Sequence, residues 1–166
     1  IYVENRDAGV NLYDELFLKG KEFQVQPGCP NLIERIESAL LSSGNDFDNN
    51  DNPYECGFDK HIDISSDINY LGKKALVGIF KEGIKRKLMG VIIDLDKIEI
   101  TEEVPLYNGK NLMGHLRSAV YSPHFNFKQV LGIAMIKKEY WDKKTSFELE
   151  INGKKSKGLI CDLPLV

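Results

Sequence analysis

The sequence predicts an α+β chain whose helical first half gives way, after Gly83, to a small antiparallel barrel or sandwich. Three observations carry this. The stretches around residues 7–20, 31–44 and 67–83 repeat apolar residues at helical spacing. Residues beyond Gly83 fall into six short strand-like runs: KLMGVIID, EEVPLYNGK, GHLRSAVYS, VLGIAMIKK, TSFELEING and KKSKGLICD. Two of the breaks between those runs are Asn108-Gly109 and Asn152-Gly153, which favour tight hairpins because both positions tolerate positive φ.

Taken in order, IYVEN is rich in strand formers and is expected to be a strand. Asp7 reads as the cap of a helix that buries Val10, Tyr13, Leu16 and Phe17 and stops at Gly20. KEFQVQPG is expected to be a second short strand. PNLIERIESALLSSG carries the clearest helix signals: Asn31 as cap, Glu34 at the capping-box position, a stripe of Ile33, Ile36 and Leu40, and Gly44 as the stop. HIDIS alternates like a strand. The next helix faces Leu76, Ile79 and Phe80 inward and ends at Gly83. In TSFELEING, Phe147, Leu149 and Ile151 alternate with polar neighbours, so one face is buried. The domain boundary is placed at 84/85. Because the chain opens on a strand-forming run, residues 1–84 are expected to continue a longer α+β unit, and an unpaired strand edge at Ile1 would recruit a second copy.

The bulk numbers narrow the function classes. A net charge of −3 speaks against a dedicated nucleic-acid binder. No apolar run reaches the roughly 18 residues that a membrane helix needs. The three cysteines, Cys29, Cys56 and Cys161, are odd in number and widely spaced, which fits free thiols in a reducing cytoplasm.

Between the second and third helices lies GNDFDNNDNPYECGFD, with four Asp, four Asn and one Glu in residues 44–59. An EF-hand loop needs Gly at position 6 and Glu at position 12. Counted from Asp46 those positions hold Asp51 and Gly57, and counted from Asp48 they hold Pro53 and Asp59. No metal is expected there, and the loop reads as turns built by Asp and Asn. Cys56 and His61 lack the second ligand pair of a zinc site, and His115 and His124 stand alone. Glu37 falls about 40° from Ile33 on the helical wheel, beside the apolar stripe, where a carboxylate needs a partner. Arg35 lies across the helix, placed to meet Asp46 or Asp48 or to reach an anionic ligand. Lys81, Lys85, Arg86 and Lys87 form a basic run that reads as a solvated helix end, with a patch for a polyanionic tail as the alternative. No catalytic constellation is complete in these residues.

Several stretches resemble the glycine-cleavage T-protein superfamily. RIESALLSSGNDFD is similar to its R-L-E-A-G-L-x-x-Y-G-N-D-x-D segment, YLGKKAL to its F-x-G-K-x-A-L helix, and GHLRSAVYSPHF with VLGIAMI to strands of its C-terminal barrel. Within it, PGCPNLIERIES, the acidic loop, RSAVYSPHF and CDLPLV look most like the tetrahydrofolate-dependent dimethylsulfoniopropionate demethylases. The resemblance implies a ring of three parts around folate, with residues 1–84 as the end of a ferredoxin-like folate-binding piece and 85–166 as the barrel. It implies tetrahydrofolate as cofactor, a small sulfonium or aminomethyl donor as substrate, and catalytic residues in a region preceding Ile1. Tyr2, Asn31, Arg35 and Glu37 become the candidate substrate or folate contacts. Asn31 stands where aminomethyltransferases of the family have a folate-binding Arg, and Ser43 where they have Tyr, so the demethylase reading is preferred over aminomethyltransferase or a non-enzymatic folate binder.

Overall fold

The computed structural model describes residues 1–26, 28, 31–123 and 129–165, so Cys29 and His124 lie outside it. The chain divides into two compact units, residues 1–30 and 31–166. No helix among the described residues is long and apolar enough to cross a membrane.

The first unit holds one long helix, α1 (Arg6–Gly20), followed by a single 3-10 turn at Lys21–Phe23. Asn5, one position ahead of the helix, is its cap: its side chain accepts a hydrogen bond from the Ala8 amide at 2.9 Å, displacing the expected Asp7 from that role. Gly20 is required by packing, since a Cβ there would stand 2.9 Å from the Cβ of Val25. The expected stripe forms, with Tyr13 stacked on Phe17 at 4.4 Å, but Val10, Tyr13 and Leu16 stay exposed. The strands expected at IYVEN and KEFQVQPG do not form. β-propensity describes how a residue fits a pleated, paired surface, and no described segment pairs with either.

In the second unit, α2 is short, Leu32–Glu37, instead of running to Gly44. Its start is as expected: Asn31 and Glu34 make a reciprocal capping box, at 3.0 and 3.1 Å. Its end comes early because Ala39 takes a left-handed conformation, φ 55°, which turns the chain out of the helix. HIDIS forms no strand: His61 closes a 3-10 turn at Asp59–His61 and residues 62–65 are irregular. Helix α3 (Lys73–Glu82) ends as expected, with Gly83 at φ 75°. Phe80 is exposed, however, its ring 6.0 Å from that of Tyr54.

All six strand-like runs are strands: β1 (Arg86–Ile93), β2 (Val104–Asn108), β3 (Asn111–Ser122), β4 (Gln129–Lys137), β5 (Ser146–Ile151) and β6 (Lys154–Cys161). They close a barrel in the order β1-β4-β3-β2-β5-β6, every pairing antiparallel. The β5–β6 turn at Asn152-Gly153 has φ of 50° and 75°, the two positive values that a type I′ hairpin demands.

Two apolar cores explain the near-continuous hydrophobic wording of β1 and β4. Met89, Val91, Ile93, Val130, Ala134 and Ile136 point into the barrel with Leu106, Leu116 and Phe147. The alternate residues Leu88, Leu131, Ile133 and Met135 point outward and are covered by Ile36 and Cys56. Both faces of these strands are therefore buried, one by the barrel and one by α2 and the acidic loop.

Candidate functional site

Helix α2 is held to the outside of the barrel through side chains of β3. Arg35 Nη1 donates to Asp46 Oδ2 at 2.5 Å and to the Leu40 carbonyl at 3.1 Å. The other Asp46 oxygen accepts from the Ser118 hydroxyl, and the Ser42 amide donates to Oδ2 at 2.6 Å. Glu37 is buried, 8% exposed; its Oε1 accepts from the Ser122 hydroxyl and its backbone carbonyl from the Leu165 amide at 2.9 Å. Ser118 and Ser122, four apart on β3, share the outer face. A carboxylate beside an apolar stripe thus has a hydroxyl partner across the packing interface.

The acidic loop is built around a buried ion-pair cluster. The Asp51 carboxylate is 0% exposed and lies 2.9 Å from Arg86 Nη2 and 3.4 Å from Arg117 Nη2. Arg117 also reaches Glu103 at 2.9 Å, and Arg86 reaches Glu55 at 3.1 Å and the Asn50 carbonyl at 2.9 Å. The hydrogen bond from Arg86 to Glu55 raises the guanidinium pKa further above its ordinary value. Arg117 has this reach because it is a bulge residue: Leu116 pairs with Ala134 and Ser118 with Ile133, leaving Arg117 without a partner in the β3–β4 ladder. Its Nε is buried with no hydrogen-bond partner among the described residues.

The remaining loop residues are turn-makers, as expected. Asp48 accepts from the Asn50 amide at 2.7 Å, which holds its carboxyl below the usual range, and Asn52 and Glu55 bond each other's amides at 3.1 Å. Arginines hold Asp46, Asp51 and Glu55: the Arg35–Asp46 pair is one the sequence offered, while Asp51, expected as a turn-maker, belongs to an ion pair.

Where this loop runs on past Tyr54 it walls an open pocket of about 910 Å³, all within the 31–166 unit. The opposite walls are the end of α3, the start of β1, Trp141 and the tail at Asp162–Pro164. Tyr54, Phe58, Phe80 and Trp141 give it aromatic surface. Its charged side chains are Asp59, Lys60, Lys87 and Asp162, and His61 lines it beside them. The Lys87 ammonium lies over the Trp141 ring, 4.6 Å from its centroid.

The sequence-derived site residues divide three ways. Arg35 and Glu37 are locked into the barrel packing. Asn31 is exposed, with its carbonyl oxygen used by the cap. Tyr2 belongs to the other unit and is fully exposed. Sequence reasoning missed Arg86 and Arg117 as loop anchors, reading the first as a solvated helix end. It missed the Lys87–Trp141 wall as well. An Arg inside the strand pattern GHLRSAVYS was the available signal for Arg117.

The two described cysteines are poor nucleophiles. Burial, with Asp51 and Glu55 adding to it at Cys56 and Asp162 at Cys161, pushes each thiol up to about 11. A thiol with that pKa is about one part in ten thousand thiolate at pH 7. In a Cys29→Ser variant, alkylation is expected to stay slow through pH 8 and to accelerate as pH approaches 11. Stability follows the same sign: the unfolded thiols ionise first, near 9.0, so their contribution is complete below that pH and is lost as pH climbs to about 11.

Comparison with known proteins places this architecture. Residues 86–166 match the family model described as glycine cleavage T-protein C-terminal barrel domain. The chain is 37% identical over 150 residues to the dimethylsulfoniopropionate demethylase of Ruegeria pomeroyi, covering 90% of this chain and 40% of that protein. It is 29% identical over 165 residues to an aminomethyltransferase of Clostridium botulinum, covering 98% of this chain and 43% of that one. To an aminomethyltransferase of Thermoanaerobacter it is 31% identical over 164 residues, covering 96% and 43%. The chain thus spans about two fifths of the length of the curated relatives it matches. The crystal structure of glycine cleavage system aminomethyltransferase T from Bartonella henselae shares the fold, with a TM-score of 0.72 over 81% of this chain and 37% of that one, at 21% identity. The six-stranded barrel at residues 86–166 is a glycine cleavage T-protein C-terminal barrel domain.

Proposed function

We propose that this chain is the C-terminal portion of a tetrahydrofolate-dependent methyltransferase that demethylates dimethylsulfoniopropionate. The observation that carries the choice of donor is the higher identity to the demethylase, 37%, than to the two aminomethyltransferases, 29% and 31%. The cap at α2 supports it. Asn31 presents a neutral, exposed side chain at the position where, by resemblance, aminomethyltransferases carry a folate-binding Arg.

Tetrahydrofolate, when bound, supplies the nucleophilic N5. That nitrogen would receive the sulfonium methyl, with the C–S bond breaking as the C–N bond forms, the thioether leaving with the electron pair and the N5 proton going to water. A sulfonium is already an activated donor, so alignment of the two reactants supplies most of the rate. The residues of this chain fit a holding role. The pocket is within the size range of small-molecule sites, and its aromatic walls at Tyr54, Phe58 and Trp141 suit a flat conjugated ligand. Arg35 and Glu37 set the position of α2, and Asn31 at its start stays exposed as a candidate folate contact.

An aminomethyltransferase of the glycine cleavage system is the second reading, favoured by matches that cover 98% and 96% of the chain. The test is turnover by a protein that carries this chain together with the N-terminal region its relatives have. Formation of 5-methyltetrahydrofolate from dimethylsulfoniopropionate is expected. Activity with glycine-cleavage components and none with the sulfonium would replace the first reading with the second.

A further inference from the structure

We infer that the C-terminal tail, residues 162–165, is a releasable strap: it seats α2 on the barrel and closes one wall of the pocket, and it lets go while the barrel stays shut. The inference holds whichever ligand the pocket takes, so it does not rest on the folate reading. β6 ends at Cys161, and from there the tail crosses the outer face of β1 at Gly90. Only glycine leaves room for that crossing. A Cβ at position 90 would stand 2.7 Å from the Asp162 carbonyl oxygen and 2.7 Å from the Leu165 Cδ2. Leu163 and Leu165 then pack into the outer apolar cluster with Ile36, Cys56 and Leu88. The Leu165 amide donates to the Glu37 carbonyl at 2.9 Å, satisfying one of the carbonyls that a helix end leaves without an internal partner.

The parts it joins differ in self-sufficiency. The barrel is a closed ring of antiparallel pairings, and β1 has partners on both edges, β4 and β6, without the tail. Helix α2 has six residues, too few to stay helical alone in water, so its place depends on what it packs against. Its supports are the Arg35–Asp46 pair, the Glu37–Ser122 hydrogen bond, and Ile36 in the outer cluster that the tail completes. At its base the tail is tied by the ion pair of Asp162 with Lys143, two exposed side chains whose attraction is weak in water. A segment held by a few apolar contacts and an exposed tie opens well before core strands do. Release has two consequences. The pocket wall formed by Asp162, Leu163 and Pro164 is removed, and α2, with Asn31 at its start, loses part of its seat.

Cys56 reports the event, because it is buried and shares the outer cluster with Leu163 and Leu165. In a Cys29→Ser, Cys161→Ser background it is the single thiol of the chain, and its alkylation by iodoacetamide at pH 8 measures how often the cluster opens. Uncovering also relieves the burial that pushes this thiol up to about 11, which raises its thiolate fraction. A chain ended at Asp162 is expected to react roughly tenfold faster or more. Leu165→Ala, which keeps the amide and shortens the side chain, is expected to accelerate the reaction less. Hydrogen exchange on the same chains separates the parts: amides of α2 should exchange faster while those of β1 and β4 keep the parent's protection. An unchanged Cys56 rate in both variants would overturn the inference, because the tail would then cover nothing. Equal acceleration of α2, β1 and β4 would overturn it as well, because strap and barrel would open as one. Should the shortened chain fail to fold, Leu165→Ala carries both readouts.

Discussion

Asp51→Asn is expected to destabilise the 31–166 unit by about 3–5 kcal/mol, the range for removing one partner of a buried ion pair. The carboxylate is fully buried between Arg86 and Arg117, and Arg117 is itself only 9% exposed. Asparagine keeps the shape and removes the charge, so two guanidinium groups are left facing each other with less to offset them. Glu103 and Glu55 remain and limit the loss. For a chain of this size the shift in melting temperature is roughly 10 °C. Urea denaturation measures the free energy directly. The double variant Asp51→Asn with Arg117→Met should recover part of the loss, because it also removes the buried cation. A change below about 0.5 kcal/mol would mean that the loop does not depend on this cluster.

Gly114→Ala is expected to cost roughly 3 kcal/mol or more, at the upper end of overpacking effects. The reason is backbone, not side chain. A Cβ at this position would stand 2.1 Å from the Met135 carbonyl oxygen and 3.1 Å from the Ile136 Cα, atoms of the β4 ladder that cannot rotate aside. Relief requires β3 and β4 to separate, which opens the barrel. Gly78→Ala is the contrasting substitution. Nothing lies within 4 Å of a Cβ there and the site is inside α3, so about 1 kcal/mol of stabilisation is expected from helix propensity. Thermal melts of the two variants should move in opposite directions.

The barrel was legible in the sequence because each of its strands declares itself locally. Phe147 and Leu149 alternate with exposed Glu148 and Glu150, and Asn152-Gly153 supplies the positive φ values of the hairpin. The first half was less legible because its outcome depends on partners. The helix pattern of LIERIESALLSSG is sound, yet α2 stops at Glu37: Ala39 turns left-handed, and Arg35 and Ser42 bond to Asp46. Helix propensity is worth a few tenths of a kcal/mol per residue and yields to a buried charge-assisted cluster. IYVEN and HIDIS carry strand composition without a strand to pair with.

The candidate site followed the same division. Pairing of Arg35 with Asp46 could be read from their places around a helix and its following loop. For Arg117 the sequence offered only a charge inside the strand pattern GHLRSAVYS; its reach to Asp51 depends on a bulge, a property of the register between two strands. The convergence of Lys87, Trp141 and the Asp162–Pro164 tail on one pocket could not be read, since closure of the barrel brings β1, β6 and the segment after β4 together.

Methyl transfer from a sulfonium to tetrahydrofolate is the role proposed for this chain. Its most direct test supplies a protein containing this chain, together with the N-terminal region its relatives carry, with tetrahydrofolate and methyl-labelled dimethylsulfoniopropionate, and follows the label by mass spectrometry. The expected result is label in 5-methyltetrahydrofolate, matched mole for mole by methylmercaptopropionate. Label that stays in the sulfonium, while the same protein turns over the glycine-cleavage components, would contradict the claim.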